Sequence, residues 1–139
     1  MNIREANIND LEKCEELSQM PELIWASGEY YTKDFLERYL ENNEGCFLVV
    51  ELENIVIGYL LGEKLKAKGS IVWSMGIQKE YRGKGIGSKL LKTFEKNIQD
   101  DGYEWTYLVG RTESEELKHF YSKNGFSVGK NNTEYEKFF

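Results

Sequence analysis

Proline and histidine each occur once in this chain of 139 residues, and cysteine only twice. Cys14 and Cys46 lie far apart with no C-x-x-C spacing, which argues against both a disulfide framework and a zinc site. Both are expected as reduced, semi-buried thiols, and no metal is expected. No stretch approaches the roughly 18 apolar residues of a membrane span. The N-terminal residues MNIREANINDLEKCEEL place charges where a secretory leader would have its apolar segment. The expected protein is cytoplasmic and has no membrane partner. Basic charge is also in deficit, with a formal net charge of −6, so nucleic acid is excluded as the main partner because phosphate-dominated binding needs a basic face. What the chain does have is 40% apolar and 14% aromatic residues, enough to fold, and a length that suits a single domain over residues 1–139.

The apolar pattern divides the chain into elements. NIREAN alternates like a strand, and Asp10 offers a cap before Leu11, Cys14 and Leu17, which recur at helical spacing. Residues 20–31 hold the proline and several aromatics without periodicity, and read as a loop or irregular helical segment able to fold over a cleft. Residues 32–43, capped by Thr32 and carrying Phe35, Leu36, Tyr39 and Leu40 on one side, predict a second amphipathic helix followed by Gly45. CFLVVEL and IVIGYLLG, joined by Glu53-Asn54, predict a β-hairpin, and SIVWSMGI (70–77), apolar on both faces, a central strand. A helix over residues 87–101 carries the stripe Leu90, Leu91, Phe94 and Ile98. Then come a strand (EWTYLVG), a helix ending at Gly125 with Thr112 and Glu115 as a capping box, and closing strands FSV and TEYEKFF. The order β-αα-βββ-α-β-α-ββ is mixed α/β.

The stretch YRGKGIGSKLL (81–91) concentrates charge and backbone. Gly83, Gly85 and Gly87 expose main-chain N–H groups at the start of a helix, where the dipole adds positive potential, and Arg82, Lys84 and Lys89 surround them. That combination suits a diphosphate. A Walker loop is excluded by spacing and order, and a dinucleotide-binding fingerprint by the G-x-G-x-G pattern and its place after the fourth strand.

Arg82-Gly83-Lys84-Gly85-Ile86-Gly87 resembles the R/Q-x-x-G-x-G/A signature of the GNAT superfamily of acyl-CoA-dependent N-acetyltransferases. LKHFYSKNGF (117–126) is similar to that family's A-x-x-F-Y-x-K-x-G-F segment, and the element order agrees over nearly the whole chain. The resemblance implies a mostly antiparallel central sheet of six to seven strands flanked by four helices, with strands 4 and 5 splayed to admit acetyl-CoA. It implies that main-chain groups around Met75 and Ile77 pair with the pantetheine arm. The diphosphate would rest on residues 82–87 (Arg82, Gly83, Lys84, Gly85, Ile86, Gly87) and Ser88, with Ser114 near the cofactor and Lys84, Lys89 or Lys123 as reach toward the 3′-phosphate. Tyr121 would be the acid that protonates the departing thiolate. The acceptor, a small-molecule amine or a peptide, would meet Trp25, Tyr30, Tyr31 and Tyr135, and a homodimer through the C-terminal strands is consistent with the fold.

The reaction expected is direct attack of a neutral amine on the thioester, with no metal. The amine must arrive deprotonated, the developing oxyanion needs a donor, and the departing sulfur needs a proton. Relatives of the ribosomal-protein type carry L-E-V-R in the fifth strand, but this chain reads Leu108-Val109-Gly110-Arg111 and lacks that carboxylate. Glu29, Asp34, Glu63 and Glu113 are the acidic candidates for a base, a water relay stands equally open, and His119 reads as a solvated helix flank. The missing carboxylate also keeps a silent acyl-CoA-binding or sensor domain in play, as well as an interaction domain that retains only the fold.

Overall fold

Alternation at Asn2–Glu5 forms β1, which pairs antiparallel with β2 (Phe47–Leu52). β2 pairs antiparallel with β3 (Ile55–Lys64), β3 with β4 (Gly69–Ile77), and β5 (Trp105–Leu108) joins β4 in parallel. The sheet order is β1-β2-β3-β4-β5. The computed structural model describes residues 1–111 and 113–139, which fall into two units, 1–109 and 110–139. The mixed, mostly antiparallel sheet agrees with the sequence reading, whereas the number of strands does not: the described residues form five, not six to seven. FSV and TEYEKFF carry no regular structure. Strand propensity alone cannot make a strand, because its backbone needs a paired neighbour.

The helices are α1 (Leu11–Ser18), α2 (Lys33–Glu37), α3 (Ile86–Asp100) and α4 (Glu115–Lys123). Thr32 caps α2 as expected, accepting from the Phe35 amide at 3.2 Å. The helix is shorter than the predicted 32–43, because Arg38, Tyr39 and Leu40 turn their amides to the carbonyls three residues back and tighten the chain out of α geometry. The cap before α1 lies earlier than expected. Asn7 accepts from the Asn9 amide, while the Asp10 carboxylate accepts from the Asn7 amide and from Arg4. The capping box expected from Thr112 lies outside the described residues, and Ser114 is the residue seen to cap α4, accepting from the Leu117 amide at 3.2 Å.

Two apolar layers hold the first unit. Leu11, Cys14, Leu17 and Leu36 from α1 and α2 cluster with Phe47, Val49, Tyr59 and Leu61 of the sheet. On the other face, by strand alternation, the stripe Leu90, Leu91, Phe94 and Ile98 of α3 is buried as the periodicity predicted. Each such side chain contributes about 1.5–3 kcal/mol on leaving water. A Cβ at Gly62 would lie 2.4 Å from the Phe94 ring, so the strand is bare there to admit it. Glu53 and Asn54, both with positive φ, make the tight hairpin turn. Cys14 and Cys46 are free and buried. Among the described residues, no helix is long and apolar enough to cross a membrane.

One irregularity shapes the region beside the glycine turn. Leu61 faces Ser74 but Gly62 faces Val72, which leaves Trp73 as the extra residue of a bulge in β4. A bulge bends its strand and increases its twist. Pairing of β4 with β5 runs only from Gly69↔Trp105 to Val72↔Leu108, so beyond the bulge β4 has no partner on that edge among the described residues.

Candidate active site

β4 runs into the glycine turn through a short 3-10 segment at Lys79–Tyr81. Arg82 is extended, and Gly83 and Gly85 follow with φ of +74° and +77°, left-handed conformations that an L side chain resists. Gly87 sits inside the first turn of α3. Gly85 is the N-cap of α3 and no side chain caps it. The Lys89 amide bonds the Gly85 carbonyl at 3.1 Å, so the amides of Ile86, Gly87 and Ser88 precede the first helical bond and point out of the helix end. The Ile86 side chain is buried, which anchors this end to the core and leaves its backbone to offer. Lys84 and Lys89 are exposed beside the turn, the Lys84 ammonium 5.6 Å over the Tyr81 ring. Uncapped donors, helix dipole and two cations favour an anionic ligand here.

The open edge of β4 leads directly to this turn. The Gln78 amide bonds the Ile57 carbonyl of β3 at 2.8 Å, so by strand alternation Gly76 shares that side while Met75 and Ile77 direct their main-chain groups to the opposite, unpartnered edge. One of those groups is taken: Arg82 Nε donates to the Ile77 carbonyl at 2.8 Å. The same guanidinium donates to Met20 Sδ at 3.1 Å and pairs with Glu22. The charge of Arg82, expected to serve a diphosphate, is thus directed at the loop 20–31. Gly76 strengthens the attachment, since a Cβ there would come within 2.9 Å of both Leu23 and Met20.

The aromatic residues proposed from sequence for an acceptor separate. Trp25 and Tyr30 are partly exposed, whereas Tyr31 is 5% exposed and belongs to the core. Its ring lies 5.5 Å from Trp25 and 5.4 Å from Phe35, its carbonyl accepts from Ser18, and burial pushes its phenol up to about 12. Among the acidic candidates, Glu29 and Asp34 are exposed. Glu63 is half-buried on β3 and accepts from the Trp73 indole N–H at 2.7 Å.

The second unit carries the remaining candidates. Tyr121 on α4 packs its ring 5.2 Å from Phe120 and 5.6 Å from Phe126, and burial raises its phenol above the ordinary value. Gly110 faces the same ring, with room for a Cβ only at 3.4 Å from it. Gly125, with φ of +88°, ends the helix as predicted. The Ser114 hydroxyl is engaged in capping, His119, Glu113 and Tyr135 are exposed, and Lys123 lies 5.9 Å over Phe120. Sequence reasoning missed Met20 and Glu22, whose partner Arg82 lies about sixty residues away in the chain, and Trp73, which meets Glu63 of the neighbouring strand.

Comparison with known proteins adds independent support. Residues 43–128 match the family described as acetyltransferase (GNAT) domain. An uncharacterized N-acetyltransferase of Methanocaldococcus jannaschii is 32% identical over 129 residues, covering 91% of this chain and 78% of that one. An N-alpha-acetyltransferase of Sulfurisphaera tokodaii is 27% identical over 137 residues, covering 89% and 78%. Among solved structures, the PaiA N-acetyltransferase of Thermoplasma acidophilum in complex with coenzyme A superposes with a TM-score of 0.81 at 24% identity, covering 94% of this chain and 92% of that one.

Proposed function

The chain belongs to the GNAT family of acetyltransferases, and we propose that it carries an acetyl group from acetyl-CoA to a primary amine of a small molecule or peptide, by direct attack within a ternary complex. The observation that supports this best is the uncapped start of α3, with Gly85 left-handed at its N-cap and the amides of Ile86, Gly87 and Ser88 ahead of the first helical bond. Such a donor set fits a diphosphate, each charge-assisted bond contributing about 1.5–3 kcal/mol. The open edge at Met75 and Ile77 fits an extended chain of amides, which would add to β4 as a strand does. When bound, acetyl-CoA supplies the activated acyl group. The coenzyme A in the Thermoplasma acidophilum structure supports this choice of donor. The family match crosses from the first unit into the second, which supports reading 1–139 as a single acetyltransferase domain.

The protein's own part is position and proton control. Holding donor and acceptor side by side replaces a bimolecular encounter and can lower the barrier by roughly 7–11 kcal/mol. Tyr121 is the proposed acid for the leaving sulfur: burial keeps its phenol protonated, the state that role requires. The sign is definite. A phenol raised by burial stays protonated through neutral pH and gives up its proton only above the ordinary tyrosine value of about 10.

Acetyl-CoA consumption across a panel of amines and peptides tests the reading, run in parallel with Tyr121→Phe. Turnover with at least one amine is expected. The variant should lose about 10²-fold in kcat, together with any alkaline decline that begins above pH ~10. Acetyl-CoA binding without turnover on any acceptor would make the protein an acyl-CoA sensor instead, and an unchanged rate in the variant would remove Tyr121 from the mechanism.

A further inference from the structure

Among the buried and half-buried carboxylates of the first unit, Asp10 and Glu51 share the cation Arg4, whereas Glu63 forms no ion pair among the described residues. Its carboxylate is instead fixed by a single neutral donor, the indole N–H of Trp73 at 2.7 Å. Trp73 is the bulged residue of β4 and is 46% exposed.

Register builds a surface around this pair. Glu63 of β3 stands opposite Ile71 of β4, and Ile71 opposite Tyr107 of β5, which places the three in one row on one face of the sheet. Trp105 precedes Tyr107 on the same face and lies over Gly69, where a Cβ would come within 2.0 Å of its ring. Trp105 and Tyr107 are half-exposed like Trp73. Tyr39 borders the carboxylate from the α2 side: burial first, and then the charge of Glu63, hold its phenol above the ordinary range. An oriented carboxylate without a cation, beside aromatic rings open to solvent, is the chemistry that recognises an ammonium group.

We propose that Glu63, Trp73 and Tyr107 bind an ammonium group, and that the acceptor of the transfer reaction carries this cation in addition to the nitrogen that is acylated. The bound nitrogen is not the nucleophile, because a neighbouring carboxylate favours the protonated form while the attacking amine must be neutral. Trp73 lies two residues before Met75 on β4, roughly 7 Å along the strand, so the two nitrogens are separated by a short spacer. This inference rests on the transferase reading for the identity of the second nitrogen, and on the sheet face alone for the ammonium site.

Three probes of one chain length test it: a neutral alkyl alcohol, the alkyl monoamine and the diamine. In wild-type protein either protonated amine should shift the Trp73 indole N–H resonance, assigned by its loss in Trp73→Phe, at concentrations about tenfold below those the alcohol needs. Glu63→Gln, which keeps the shape and an acceptor for the indole, should bring amine and alcohol affinities together. Tyr107→Ala should weaken amine binding with the carboxylate intact. In the acetylation assay, where only the diamine carries a second nitrogen, the diamine-to-monoamine ratio of kcat/KM should fall about tenfold in Glu63→Gln. Equal binding of amine and alcohol by wild type, or a preference for the amine that survives Glu63→Gln, overturns the proposal. The titration needs no acetyl-CoA, so a diamine that binds at Trp73 without turnover counts against the transferase reading and leaves the ammonium site standing.

Discussion

Gly85 and Arg82, three residues apart in one signature, act in different ways. Gly85 is needed for its backbone: at φ +77° it turns the chain so that helical amides are presented without a Cβ or a capping side chain ahead of them. Gly85→Ala has open space for its methyl group, so strain and not collision is its cost, roughly 1–2 kcal/mol for a left-handed alanine. A lower melting temperature is expected, together with a rise in the Kd for coenzyme A measured by calorimetry. A variant equal to wild type in both would show that the turn needs no glycine. The sequence pointed to the glycines because their local chemistry is explicit. It could not show the contacts of the Arg82 side chain with Met20 and Glu22, because those partners are some sixty positions away.

Among the elements, those set by short-range pattern were legible. The stripe of α3 and the Glu53-Asn54 hairpin follow from period and turn chemistry, and both stand where predicted. The bulge at Trp73 was not legible, since it is a mismatch of register between two strands and neither strand's sequence displays it. Nor was the early end of α2, where tighter turns displace helical bonds. The loop 20–31 was read correctly as irregular, but its attachment to β4 through Arg82 comes only from the tertiary structure. Arg82→Lys removes the planar fork that reaches the Ile77 carbonyl, Met20 and Glu22 together. Limited proteolysis should then cut within residues 20–31 several times faster than in wild type. An unchanged cleavage rate would show that Gly76 packing alone holds the loop.

At the scale of the whole molecule, a chain of net charge −6 presents one cationic turn at the end of an open strand edge. Under the proposed function, acetyl-CoA is the ligand of that turn, and the sheet face bearing Glu63 and its aromatic neighbours is the separate surface proposed for the acceptor. FSV (126–128) and TEYEKFF (133–139), expected as strands, contribute no sixth or seventh strand to the observed sheet. The most direct measurement is an amide NMR titration of the isotope-labelled protein with coenzyme A. The largest shifts should fall on the amides of residues 83–88, with smaller ones at Met75 and Ile77. Binding that leaves the amides of 83–88 unmoved while residues elsewhere shift would contradict the account at its centre.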